Sequence, residues 1–253
     1  MKTAPSAFKP HPVLNPHYQS EQEKQRFLRG LFDASAPHYE GIAKWGFFGS
    51  GHWYRFHALR DRGGLKPGMT CLDVATGTGP TARAAAEIVG RPELVTCLEP
   101  SLGMLQESAR LLAAPHVQGC ADFIPFKDDY FDFLSMGFAL RHVDDMGQAF
   151  REYYRVLKPG GRLMLLDVIL PENKFGRFLC ALYFRDLLPR MTRFFTGSKE
   201  AAALMDYYWI TMEQMIDSEK VLLALKQAGF LEVKKHFVTT VFGEYTAVKP
   251  LRP

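Results

Sequence analysis

The sequence predicts an α/β fold, a doubly wound, seven-stranded, mostly parallel sheet with N-terminal helices and a helical cap. Three observations point to it. Short buried runs alternate with helical runs from residue 69 to 170. The run "RLMLLDVIL" (162–170) is apolar on both faces, which a strand needs only where helices cover both sides of its sheet. A glycine-rich turn, "LDVATGTGP" (72–80), joins a buried strand to a helix.

Each element has its own signal. Residues 1–19 are rich in Pro and His and read as a flexible arm ahead of one domain spanning 20–253. Ser20 with Glu23 forms a capping-box start, and Phe27, Leu28, Leu31 and Phe32 give that helix an apolar face. An aromatic-rich helix is expected over His52 to Arg62. "MTCLDVA" (69–75) is a strand, "TARAAAEIVG" (81–90) a helix closed by Gly90, and "ELVTCLE" (93–99) the next strand. Ser101 caps the helix "SLGMLQESARLLA" (101–113), and short strands follow near "VQGC" (117–120) and at "FDFLSMGF" (131–138). Met146, Phe150, Tyr153 and Leu157 recur at the spacing of a packed helix face, which Lys158-Pro159-Gly160-Gly161 stops before the strand at 162. Residues 171–216 are helical and irregular for this alternation, hence the inserted cap. After "KVLLALKQAGF", the runs "EVKKHFVTT" and "FGEYTAVKP" read as two antiparallel strands.

The composition bounds the function. With 253 residues, 47% hydrophobic, the chain can bury a full core. A net charge of +4, spread along the sequence, does not call for a nucleic-acid partner. Four cysteines lack metal spacing, and three of them (Cys71, Cys97, Cys120) fall near strand ends, where they read as small core residues in a reducing compartment. No metal is expected. The N-terminal stretch has no apolar signal region and no run is long enough to span a membrane, so a cytoplasmic location is expected.

Gly77-Thr78-Gly79-Pro80-Thr81-Ala82 satisfies the dinucleotide fingerprint, and Glu99, twenty residues after Gly79, can grip both hydroxyls of a ribose. Those features suit a nicotinamide cofactor or S-adenosylmethionine. Asp73 decides for the second: an acid at the end of the first strand repels a pyrophosphate but can orient a cationic methionine portion. Tyr154 and Lys158 match a dehydrogenase Y-x-x-x-K, but that Lys abuts Pro159 and ends its helix.

Over almost its whole length the sequence resembles the ubiquinone/menaquinone biosynthesis C-methyltransferases, class I S-adenosylmethionine-dependent enzymes. The matching stretches include "LFDASAPHYE" (31–40), "LDVATGTG" (72–79), "LEPSLGMLQESAR" (98–110) and "IPFKDDYFDF" (124–133). "FALRHVDD" (138–145), "YRVLKPGGRLMLLD" (154–167) and "LPRMTRFFTGSKEAAALM" (188–205) continue the match. The resemblance implies a Rossmann-like methyltransferase fold and donor contacts at Asp73, Gly77, Thr78, Gly79, Glu99, Ala121 and Gly137. The family's usual Asp or Asn before the alanine is Cys120 here, and Asp122, or a backbone carbonyl, is expected to stand in as the adenine contact.

For the acceptor, aromatic residues outside the sheet, among them Phe32, Tyr39, Phe47, Phe48, Phe195, Tyr207 and Tyr208, favour a greasy isoprenoid-type molecule such as a demethylated quinol, though each is also an ordinary core residue. Arg177, Arg185, Arg190 and Arg193 read as a solvated face, or as groups that snorkel at a membrane surface or hold an anionic head group such as a diphosphate. Candidate catalytic residues are His142, Arg141, Glu244 and Tyr39. His142 departs from the family's Arg-Asn pair and reads equally as a base with a pKa near ~6.5 or as a loop cap. A prenyl diphosphate acceptor, which Glu244 with Tyr245 would suit, a phospholipid amine, and donor binding without transfer stay open.

Overall fold

A computed structural model of the chain describes residues 8–12, 14, 17–46, 49–238 and 241–252. Phe47 and Phe48 lie outside these residues. Seven strands form one sheet in the order β3-β2-β1-β4-β5-β7-β6. They are β1 Cys71–Val74, β2 Val95–Glu99, β3 His116–Gln118, β4 Phe131–Gly137, β5 Leu157–Val168, β6 Leu231–Phe237 and β7 Phe242–Val248. The first five are parallel, and β7 runs antiparallel between β5 and β6. The strand order reverses beside β1, which opens a crevice above its C-terminal end.

Alternate residues of each strand serve opposite faces. Leu72, Leu98, Leu134, Leu163 and Leu165 pack with the helices α5 (Met146–Val156) and α9 (Ser218–Gln227). Cys71, Cys97, Phe133, Met164 and Leu166 pack instead with α3 (Pro80–Val89) and the turn Ala58–Arg62 that continues α2 (Gly51–His57). Gly90 closes α3 at φ +79, and the Ser101 hydroxyl caps α4 (Leu102–Leu111) by accepting the Met104 N–H at 3.2 Å. Ser20 likewise accepts the Glu23 N–H at 3.2 Å at the start of α1 (Glu21–Gly46).

Two expectations need correcting here. The Lys158–Gly161 stop does not lie outside the strand: β5 already begins at Leu157, and the turn is carried as an irregularity between the pairs Phe131–Leu157 and Phe133–Arg162. Gly160 takes it at φ +80. Cys120 is exposed rather than core, while Cys180 is buried.

Between β5 and α9 the chain forms α6 (Lys174–Cys180), a wider turn over Ala181–Leu187, α7 (Leu188–Thr196) and α8 (Lys199–Glu213). Leu188, Leu204 and Tyr207 from this set pack with Leu28, Leu31 and Ile42 of α1, away from the sheet. The described part of the N-terminal arm is docked: Leu14 and Tyr18 are buried in that same cluster, and the Phe8 carbonyl accepts the Met146 N–H at 3.0 Å. Among the described residues no helix is long and apolar enough to cross a membrane.

Candidate active site

The crevice beside β1 is a cavity of about 240 Å³ walled by the ends of β1, β2 and β4, by α1 and by α8. Its floor is the glycine loop. Ala75, Gly77 and Gly79 all take positive φ (+53, +57 and +88), so the chain doubles back and turns the Gly77 N–H toward Glu99, whose Oε2 accepts it at 2.9 Å. The other Glu99 oxygen accepts the Ser101 N–H at 3.0 Å. Each oxygen keeps a lone pair on a residue that lines the cavity. Burial is the main reason the Glu99 carboxyl is pushed up to about 7, against those two N–H bonds that favour its charge.

Asp73 holds the loop from beneath. Its oxygens accept the Thr76 hydroxyl at 2.6 Å and the Ser135 hydroxyl at 2.7 Å, and burial pushes its pKa up to about 6. Thr78 donates to Glu40 of α1 at 2.6 Å, and Arg83 of α3 grips the same carboxylate at 2.9 Å. A Cβ at Gly79 would stand 2.6 Å from the Ser108 hydroxyl. Asp73, Thr78 and Gly79, expected as donor contacts, are therefore not on the cavity wall. They fix its shape.

Past β2 and β3 the wall is Ser101, Met104, Cys120, Ala121 and Asp122. Asp122 Oδ1 is buried with no hydrogen-bond partner among the described residues, and burial beside Asp144 pushes the carboxyl up to about 6. At β4 a Cβ on Gly137 would run into the Thr81 hydroxyl, so the backbone itself forms the surface there.

The remaining wall is aromatic. His142, on the turn Leu140–His142, stacks on Tyr207 and Tyr208 with centroids 5.7 and 5.5 Å away and takes the edge of Phe32 at 5.4 Å. Tyr39 and Tyr208 share a hydroxyl hydrogen bond of 2.7 Å. Neither nitrogen of His142 has a partner among the described residues. Burial, with the Arg141 charge beside it, holds its pKa well below the ordinary histidine value. That direction favours a neutral ring over one titrating at the ordinary value near ~6.5. Arg141 lies behind it, paired with Asp167 at 3.1 Å and stacked 4.5 Å over Tyr208.

Glu244 is not part of this site. Along β7 it points to the opposite face from Tyr245, fully buried, and both oxygens are taken by Arg62. Glu244, expected as a catalytic residue, does not line the cavity. Gly77, Glu99, Ala121, Asp122, Gly137, His142 and Tyr39 do converge. The residue that sequence reading missed is Arg55, buried on the cavity wall. A signal existed: Arg55 shares a helix face with Ala58 and Leu59, a charge inside an apolar stripe.

These groups fit an adenosyl ligand: two carboxylate oxygens with free lone pairs, an orphaned buried acceptor, and bare backbone at Gly77 and Gly137. The fold and this cavity define a class I S-adenosylmethionine-dependent methyltransferase. Solved structures agree on the fold. A SAM-dependent methyltransferase of Aquifex aeolicus superposes with a TM-score of 0.56 at 21% identity, covering 76% of this chain and 88% of that one. Phosphoethanolamine N-methyltransferase 2 of Haemonchus contortus, in complex with S-adenosyl-L-methionine, gives 0.62 at 18% identity over 88% and 60%. The chain belongs to the ubiE/COQ5 methyltransferase family, whose model matches residues 19–249. Demethylmenaquinone methyltransferase of Symbiobacterium thermophilum is 31% identical over 87% of this chain and 91% of its own. The ubiquinone/menaquinone biosynthesis C-methyltransferase UbiE of Shewanella sediminis is 30% identical over 84% and 86%.

Proposed function

We propose that the protein methylates a ring carbon of a lipophilic quinol-type acceptor, with His142 as the base. The observation that carries this is the His142 ring: neutral, unpartnered and held among Phe32, Tyr207 and Tyr208 on the wall of the cavity. S-adenosylmethionine supplies an electrophilic methyl group, and a new carbon–carbon bond forms as the donor's sulfur–carbon pair stays on sulfur. The quinol hydroxyl becomes acidic as ring electrons are drawn into that bond. A neutral imidazole accepts its proton; the ring proton then leaves the methylated carbon to solvent as the imidazolium returns its proton to the oxygen, so one proton is released in all and the aromatic quinol is restored. Burial and the Arg141 charge lower the pKa of His142, which weakens it as a base and favours the neutral form that can accept a proton. Proximity and alignment in a closed, aromatic cavity supply the rest.

In this reading Glu99 takes the ribose hydroxyls, Asp122 Oδ1 accepts from the adenine amine, Gly77 and Gly137 let the ligand approach the backbone, and Tyr39 with Tyr208 bounds the acceptor end. Residues 171–216 act as its cap. The names of the relatives support the quinol. A prenyl diphosphate acceptor loses the carboxylate it rested on, since Glu244 belongs to Arg62.

The outer side of the cap is the surface by which the enzyme reaches acceptors dissolved in a bilayer. Phe175, Phe178 and Phe194 are exposed by 72%, 62% and 83%, beside Lys174, Arg177, Arg190 and Arg193. Such a mixture buries rings in the acyl boundary and places cations at the headgroups. The test of the chemistry is His142→Ala: kcat toward a demethylated quinol falls while calorimetric affinity for S-adenosylhomocysteine holds. Full activity in that variant would remove His142 from the mechanism.

A further inference from the structure

Arg55 is a buried cation with no ion-pair partner among the described residues. Only 7% of it is exposed, Nη1 donates to the Gly51 carbonyl of its own helix at 2.9 Å, and the guanidinium lies 4.9 Å over the Phe138 ring. Its Nε is buried with no hydrogen-bond partner among the described residues. The nearby carboxylates are engaged elsewhere: Glu40 by Thr78 and Arg83, Asp73 by Thr76 and Ser135, Glu99 by two backbone N–H groups. Burying an uncompensated charge is costly, and here burial draws the guanidinium's pKa below its ordinary value. A folded protein keeps such a group when a ligand completes it.

The location says which ligand. Sheet order places the Ser101 and Asp122 end of the cavity over β2 and β3, and the Arg55, Ala75 and Phe138 end over β1 and β4. An adenosyl group held through its ribose at Glu99, with its base toward Asp122, has its amino-acid portion running toward Arg55. We propose that Arg55 receives the α-carboxylate of the methyl donor, a role that rests on the cavity being the donor site. A carboxylate matches the planar fork of a guanidinium and carries full charge at any working pH, whereas a quinol carries none. It also separates the guanidinium from the donor's positive sulfur. Arg55 thus selects adenosyl ligands that retain an amino-acid end over those that have lost it.

Calorimetry on the full chain with two ligands tests this: S-adenosylhomocysteine, which has the carboxylate, and 5′-methylthioadenosine, which keeps the adenosine and thioether but lacks it. Arg55→Met should weaken S-adenosylhomocysteine by roughly ten- to hundredfold, the size of a lost charge-assisted hydrogen bond, and leave 5′-methylthioadenosine unchanged. Arg55→Lys should restore part of the loss. The melting temperature of ligand-free Arg55→Met should equal or exceed that of the wild type, because the unpaired charge is gone. Unchanged S-adenosylhomocysteine affinity would overturn the proposal, as would equal losses for both ligands or a defect confined to the acceptor KM. Failure of the wild type to bind either ligand would instead remove the donor site itself from this cavity.

Discussion

The two ends of the cavity are built on different principles. At the proposed donor end, polar groups are organised by backbone: Gly77 and Ser101 N–H groups fix Glu99, and positive-φ residues set the loop. At the proposed acceptor end, side chains from α1, α8 and the turn after β4 are organised by stacking, and His142 is left without a hydrogen bond among the described residues. A hydrogen-bonded wall suits a ligand whose hydroxyls and charges never vary. A stacked wall suits a greasy one and leaves the His142 ring free to take a proton.

The largest expected effect lies beneath the donor end. Gly79→Val forces a β-branched residue to φ +88 and drives its Cβ into Ser108, so it should lower the melting temperature and abolish S-adenosylhomocysteine binding. The damage comes through the loop's shape, since Gly79 is not on the wall. Donor binding retained at full strength would show that the loop tolerates a side chain there.

Next comes Glu99. Glu99→Ala should weaken S-adenosylhomocysteine by about 1.5–3 kcal/mol, the usual size for hydrogen bonds to a charged group. The sign of the pH effect follows from the direction of its shift. With the carboxyl raised to about 7, its acceptor form is gained as pH rises through that value, so wild-type donor affinity should climb there and level off above it. The same raised pKa means the empty protein holds an extra proton relative to the unfolded chain, so Glu99 favours folding at lower pH and loses that contribution as pH rises toward 7. Glu99→Gln should flatten both trends; a pH-independent affinity in the wild type would separate Glu99 from the donor.

At the acceptor end, His142→Ala should lower kcat by at least about tenfold with donor affinity intact. Because burial holds the imidazole neutral, kcat at saturating donor should show no histidine step between about pH 6 and 8. A step in that range, absent in His142→Ala, would mean the ring is wetter and more basic than this structure places it.

The smallest effect concerns the outer face of the cap. Phe178→Ser with Phe194→Ser should reduce co-sedimentation with anionic phosphatidylglycerol vesicles by a few fold and leave activity on a detergent-solubilised quinol unchanged. Equal sedimentation of wild type and variant would detach this face from the membrane.

The donor end was far more legible in the sequence than the acceptor end, and the cause is chain distance. Ser101, Gly90, Gly77 and Glu99 act on near neighbours in sequence or at a spacing that one strand-helix-strand unit imposes, so their roles are written locally. Glu244 was misplaced because its partner, Arg62, is 182 residues away and no local pattern tells which face of β7 looks into the cavity. Arg55 was missed because its meaning lies in what it lacks, and only packing reveals that. The stack around His142 joins α1, α8 and the turn after β4, so aromatic composition hinted at the wall without assigning its members.

Incubating the protein with isotopically labelled S-adenosylmethionine and a demethylated, prenylated quinol, then locating the label by mass spectrometry, tests the central claim most directly. The account predicts one labelled methyl group on a ring carbon, made by the wild type and at least about tenfold more slowly by His142→Ala. Label on an oxygen or on a lipid amine, or no transfer by a wild type that still binds S-adenosylhomocysteine, would contradict it.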